Sequence, residues 1–180
     1  MIYMFLADGF EEVEAIATLD VIRRANIDIK TVGVKETTVT GSHGIPVVCD
    51  VTAENVVLND ELTGVILPGG MPGTNNLWNS ETVKNTVEFC YKNNRLVCAI
   101  CAAPLILGRI GILKGKKAVC FPGFENELIG AEISDGYVCV DGNFITAKGM
   151  GSAIDFGIAV VSAIKGPETA SNLKGTLQCP

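Results

Sequence analysis

The sequence predicts an α/β fold in which a mostly parallel sheet is covered by helices on both faces. Short apolar runs alternate along the chain with longer amphipathic segments, the β-α-β-α pattern of such sheets. The runs are apolar throughout rather than alternating, as strands buried on both faces must be. Hydrophobic residues make up 48% and charged residues 19% of the 180 positions, enough apolar material for a sizeable core. The mean hydropathy of +0.35 is high, and a thoroughly buried sheet accounts for it. The length suits one domain spanning residues 1–180.

Each element has its own signal. Ile2 to Leu6 reads as a strand ended by Asp8-Gly9. From Glu11 to Asn26 the pattern is helical, with acidic residues in the first turn and Arg23-Arg24 in the last, as the helix dipole favours. Asp28 to Val34 is a strand, and the Thr/Val alternation from Thr37 to Val51, broken by Gly41, Gly44 and Pro46, suggests a small hairpin. Gly64 to Leu67 is a strand ending at Pro68-Gly69-Gly70. Ser80 caps a helix from Glu81 to Asn93. Leu96 to Ile100 is a strand that runs straight into a helix from Ala102 to Gly111. Lys117 to Phe121, Tyr137 to Val140 and Phe144 to Ala147 are further strands. Ser152 to Ile164 is a helix, and Pro167 opens a last short one.

Composition excludes several function classes. Fourteen Lys and Arg against 20 Asp and Glu give a net charge of −6, without the basic face of a nucleic-acid module. Seven Cys at scattered positions and one His form neither a disulfide framework nor a zinc ligand set. Reduced thiols in the cytoplasm are the expectation. The N-terminus lacks the basic region of a signal peptide, and the apolar stretch from Gly157 to Ile164 falls far short of the roughly 20 residues that span a bilayer.

In open parallel sheets, sites gather at the carboxyl ends of strands. The most informative strand end is Ala99-Ile100-Cys101-Ala102-Ala103-Pro104. A strand passing directly into a helix, with Cys between small residues, is the plan of a nucleophile elbow. The helix dipole is expected to lower the Cys101 thiol pKa. A buried structural Cys is the alternative, and the junction alone leaves both open. Cys98 and Cys101 form a C-x-x-C string, but an extended strand would separate their Cα atoms by about 10 Å, beyond the reach of a disulfide. Gly69 and Gly70 carry no Gly-Lys-Ser/Thr of a phosphate loop; beside Cys101, their N–H groups and that of Ala102 would make an oxyanion hole. Glu11, Glu12 and Glu14 cannot all share one exposed helix face. Glu14 turned inward would meet Cys101, with its pKa raised by burial, and could relay a proton. His43, in a Gly-rich stretch, reads as an exposed loop residue without an orienting carboxylate.

Four ordered segments resemble those of the ThiJ/PfpI family, in its deglycase and YajL-like branch. They are Ala7 to Glu14 with Asp20 to Ala25, Val65 to Gly70, Ala99 to Pro104, and Gly149 to Phe156. The resemblance implies a flavodoxin-like three-layer sandwich, a cytoplasmic homodimer without cofactor or metal, and an easily oxidised Cys101 contacted by Glu14. It implies stress-response activity on small 2-oxoaldehydes or their thiol and amine adducts, of glyoxalase or deglycase type, or a redox-sensing or chaperone role. The chain departs from many members where they carry His-Pro near the Cys. Here the segment reads Cys120-Phe121-Pro122, so a Cys-His dyad is missing. Ala102 replaces the His that follows the nucleophile in the peptidase branch, which argues against proteolysis. No His follows position 43 to complete an amidotransferase triad.

Overall fold

The computed structural model describes residues 1–179. Its elements are β1 (Ile2–Leu6), α1 (Glu12–Arg24), β2 (Ile29–Gly33), β3 (Thr38–Thr40), β4 (Pro46–Val48), β5 (Val51–Thr52), β6 (Gly64–Leu67) and α2 (Gly73–Trp78). They continue with α3 (Glu81–Lys92), β7 (Leu96–Ile100), α4 (Pro104–Ile110), β8 (Lys117–Ala118), β9 (Glu132–Ile133), β10 (Val138–Asp141), β11 (Phe144–Ala147), α5 (Ala153–Lys165) and α6 (Pro167–Thr176). Seven strands form the central sheet in the order β10-β11-β7-β6-β1-β2-β5. Every pairing in it is parallel except β10 with β11.

Two apolar layers flank the sheet. On one face Phe5, Val65 and Val97 meet Leu77, Val87 and Leu105 from α2, α3 and α4. On the other, Met4, Ile66 and Ile100 meet Ile22, Phe156 and Val160 from α1 and α5. Fully burying each such side chain contributes about 1.5–3 kcal/mol. The all-apolar strands of the sequence are therefore the ones covered on both sides. Close approach of α1 and α5 depends on Gly157, where a Cβ would sit 3.0 Å from the Val21 side chain.

The termini differ from the sequence reading in ways that hydrogen bonds explain. The Ser80 hydroxyl accepts from the Val83 N–H, capping α3 as expected. The expected hairpin forms as β3 and β4, an antiparallel pair outside the main sheet. The strand expected to reach Phe121 stops at Ala118. Beyond it, the Val119 N–H donates to Thr146 Oγ1 and the Phe121 N–H to the Cys101 carbonyl, so no ladder continues. The helix expected from Ala102 begins at Pro104, after a tight turn over 101–103. α2 was not expected: six residues without a capping side chain leave no periodic signal.

Candidate active site

The ends of β1, β6 and β7 bring together Glu14, the Gly69-Gly70 pair and Cys101. Cys101 follows β7 directly and has φ of 64°, in the left-handed region that costs a side-chain-bearing residue energy. Neighbours on both sides fix it: its N–H donates to the Ala147 carbonyl at 2.9 Å, and its own carbonyl accepts from Phe121 at 2.8 Å. The thiol is half-buried, and the backbone N–H groups of Gly70 and Ala102 lie near its sulfur and favour its charged form. Gly70 has φ of 89°, and a Cβ there would collide with the backbone N of Glu11, so only glycine fits this approach.

Glu14 sits in the first turn of α1 and is 1% exposed. Glu11 caps that helix, its carboxylate accepting from the Glu14 N–H at 2.6 Å. The Glu14 carboxyl accepts from the Gly69 N–H at 2.9 Å, receives a second backbone donor from Met150, and shares a hydrogen bond with Cys101. Gly69 therefore has its N–H committed to Glu14 and not to an incoming oxyanion, a correction to the sequence reading. A side chain at Gly69 would lie 2.6 Å from the Cys101 Cβ.

Burial pushes the Glu14 carboxyl up to about 7, partly opposed by its bonds to Cys101 and Gly69. Burial also pushes the Cys101 thiol up, and the Glu14 charge and hydrogen bond add to it, to about 12. The expected lowering by a helix dipole is overturned. α4 starts two residues late and is only seven residues long; the Gly70 and Ala102 donors oppose the rise without reversing it. Such a pair gives up one proton near neutrality and keeps the second. In the singly charged pair the shared proton rests mainly on sulfur, the group that holds it more tightly, and passes to the Glu14 carboxylate as the sulfur is called on to react. When it rests on Glu14, the sulfur is a thiolate that accepts from a carboxylic acid and two backbone donors.

His43 does have an orienting carboxylate, again contrary to the sequence reading. Glu12, 6% exposed, accepts from the His43 backbone N–H at 2.7 Å and meets His43 Nδ1 at 2.9 Å. The Ser42 hydroxyl adds a further bond at 3.2 Å. Burial would raise the Glu12 carboxyl, but the His43 ring and backbone donors outweigh it and hold it at about 2. The same ring bond raises the His43 pKa. The two residues are separated by 31 positions, so no local motif announces them. Glu11, Glu12 and His43 offer ligand atoms within 4.8 Å of one another, and the same side chains make these bonds and the helix cap.

Of the remaining thiols, Cys49, Cys90, Cys98, Cys120 and Cys139 are buried and unpaired, and Cys179 is half-buried. Cys98 is core filler in β7. Phe121 stands where the family resemblance anticipates a His, its ring beside Gly149. A cavity of about 340 Å³ opens there between Phe121, Tyr137 and Met150. A smaller one of about 120 Å³ lies among Ala7, Val34 and Asn76, at the ends of β1 and β2. No helix among the described residues is long and apolar enough to cross a membrane.

Comparison with known proteins identifies relatives of nearly the whole chain. Protein DJ-1 homolog A of Arabidopsis thaliana is 34% identical over 96% of this chain, which spans only 45% of that protein; the chain likewise spans 40% of homolog B. Protein dj-1beta of Drosophila melanogaster is 32% identical over 97% of this chain and 95% of its own length. Among solved structures, oxidized Toxoplasma gondii DJ-1 superposes with a TM-score of 0.94 at 29% identity, covering 99% of this chain and 97% of that one. The sheet and its flanking helices are the flavodoxin-like α/β fold of those structures. Residues 1–163 match the DJ-1/PfpI family, and the chain belongs to that family.

Proposed function

We propose that this chain is a cysteine-dependent enzyme acting on small 2-oxoaldehydes or their adducts, with Cys101 as nucleophile and Glu14 as its proton partner. The observation that carries the reading is the placement of the buried Glu14 carboxyl against Cys101, both close around Gly69, with burial raising the carboxyl to about 7. An acid–base group works best when its pKa lies near the working pH.

In the first step, the Cys101 sulfur of the singly charged pair bonds to the aldehyde carbon. The carbonyl π electrons move to oxygen, and the proton held by Glu14 neutralises the resulting alkoxide. The N–H groups of Gly70 and Ala102, no longer facing a full thiolate charge, stabilise that oxygen as it forms. The Glu14 carboxylate then removes the hydrogen from the former aldehyde carbon and returns it to the neighbouring carbon. The enediol collapses to a 2-hydroxy thioester. Water hydrolyses the thioester, releasing a 2-hydroxy acid and the free thiol. The net change is addition of one water to the 2-oxoaldehyde, without cofactor. A thiol or amine adduct enters the same sequence once its carbinol O–H is deprotonated and the C–S or C–N bond breaks, which regenerates the aldehyde and releases the thiol or amine.

Lactate formation from methylglyoxal tests the reading. Cys101→Ser is expected to lose roughly a thousandfold or more, and Glu14→Gln a comparable factor. Equal rates in wild type and Cys101→Ser would remove Cys101 from the reaction.

The half-exposure of Cys101 beside five buried thiols supports a second use of the same site as a redox sensor. Peroxide would oxidise the sulfur to sulfenate and then sulfinate, each step releasing water from the peroxide. Graded peroxide with mass analysis is expected to modify Cys101 before Cys179.

We further propose that the chain works as a homodimer through α1 and the β3–β4 hairpin. Val13 and Ile16 are exposed on α1, and Ile45 and Val48 are exposed on the hairpin. The Glu12 bonds to residues 42 and 43 hold the hairpin against the head of α1, which places these apolar side chains on adjoining elements.

A further inference from the structure

The cavity beside the thiol–carboxyl pair has a lining that the chemistry of the pair does not require. Phe121, Pro122, Tyr137 and Met150 are its bulky apolar members, and the chain from Lys148 to Ser152 supplies the rest. Phe121 is 48% exposed, and Tyr137 and Met150 more so, which leaves three large apolar side chains in water around one opening. Its volume of about 340 Å³ falls within the range of small-ligand sites.

One backbone hydrogen bond and one glycine tie this cavity to the reacting atoms. The Phe121 N–H donates to the carbonyl of Cys101 at 2.8 Å. The position a Cβ would take on Gly149 is 3.4 Å from the Phe121 ring and 3.8 Å from Glu14 Oε1. The missing side chain at Gly149 therefore leaves space between the apolar cavity and the carboxyl. Lys148 does not make the cavity an anion site: its Nζ donates to the Asp135 carbonyl at 2.9 Å and lies 5.2 Å from the centre of the Tyr137 ring.

We propose that this cavity is the substituent subsite of the active site and that it holds an aromatic group carried on the ketone carbon of a 2-oxoaldehyde. The proposal rests on the aldehyde reading above. It makes Phe121 a specificity residue, whose exposed ring packs against the ring of the substrate, offset or edge to face. Aromatic 2-oxoaldehydes are then favoured over glyoxal, which has no substituent to place there.

Alkylation of Cys101 tests the subsite without requiring turnover. The full-length protein is treated with iodoacetamide and with 2-iodo-N-phenylacetamide, and modification of Cys101 is followed by mass. In wild type, the phenyl reagent should saturate, and its rate relative to iodoacetamide should exceed the ratio for free cysteine by roughly tenfold or more. Phe121→Ala and, independently, Met150→Ala should bring that ratio down toward the free-cysteine value. A wild-type ratio equal to that of free cysteine overturns the proposal, as it would if a second copy of the chain covered the cavity. A ratio retained in both variants overturns it as well. Preference retained without any aldehyde turnover sinks the aldehyde reading and keeps the subsite; turnover without preference does the reverse.

Discussion

The backbone N–H of Gly69 donates to Oε2 of Glu14 at 2.9 Å, so the glycine at the end of β6 aims the carboxyl that faces Cys101. A Cβ on Gly69 would stand 2.8 Å from that oxygen and 2.6 Å from the Cys101 Cβ. Gly69→Ala should therefore separate the pair without dismantling the sheet. The expected outcome is loss of about a hundredfold in aldehyde turnover, the scale of a misplacement near 1 Å. Stability should fall by about 1–3 kcal/mol from overpacking. Gly175→Ala is the control, because open space surrounds that position. Denaturant titration and turnover, measured on both variants, check the contrast.

The Glu12–His43 pair predicts a stability maximum in mildly acidic solution. Glu12 is held at about 2, below its ordinary 4.5. Its contribution is thus complete above 4.5 and is lost as the pH falls toward 2. His43 is raised above its ordinary 6.5. Its contribution is complete below 6.5 and is lost as the pH rises through the raised value. Both contributions coexist between those two ordinary values. The gap in denaturant midpoint between wild type and Glu12→Gln should be widest there and shrink on either side. A gap that stays constant with pH would contradict the assignment.

The apolar faces of α1 and the hairpin predict self-association. Ile16→Glu places a charge on the exposed side of α1 and should shift sedimentation from dimer to monomer at micromolar protein. Its far-ultraviolet spectrum should stay that of wild type, since Ile16 is outside the core. A wild-type chain that sediments as a monomer would sink the homodimer.

Most of the sheet was legible in the sequence because its strands are buried on both faces. Ile2–Leu6, Gly64–Leu67, Leu96–Ile100 and Phe144–Ala147 read as apolar runs with the bounds they have in the structure. The end of β8 was not legible, because what stops it is the Thr146 hydroxyl and the Cys101 carbonyl, partners far along the chain. At the site, Glu14 and Cys101 could be singled out from helix facing and from the strand–helix junction. The sign of the thiol shift could not, because it depends on burial and on the Glu14 charge at close range. The Gly69 N–H serves Glu14 by a bond over 55 positions, and the partner of His43 lies 31 positions away. Neither leaves a trace in local spacing.

The central claim is that Glu14 and Cys101 act as one acid with a shared proton. The most direct measurement is the rate of Cys101 alkylation by iodoacetamide as a function of pH, in wild type and Glu14→Gln. The wild-type rate should rise with a midpoint near 7, the value to which burial brings Glu14, and level off before a second rise toward 12. In Glu14→Gln the rise near 7 should be gone. A single wild-type rise centred at about 8.5, the value of a free thiol, and unchanged by Glu14→Gln, would contradict the shared proton and with it the proposed mechanism.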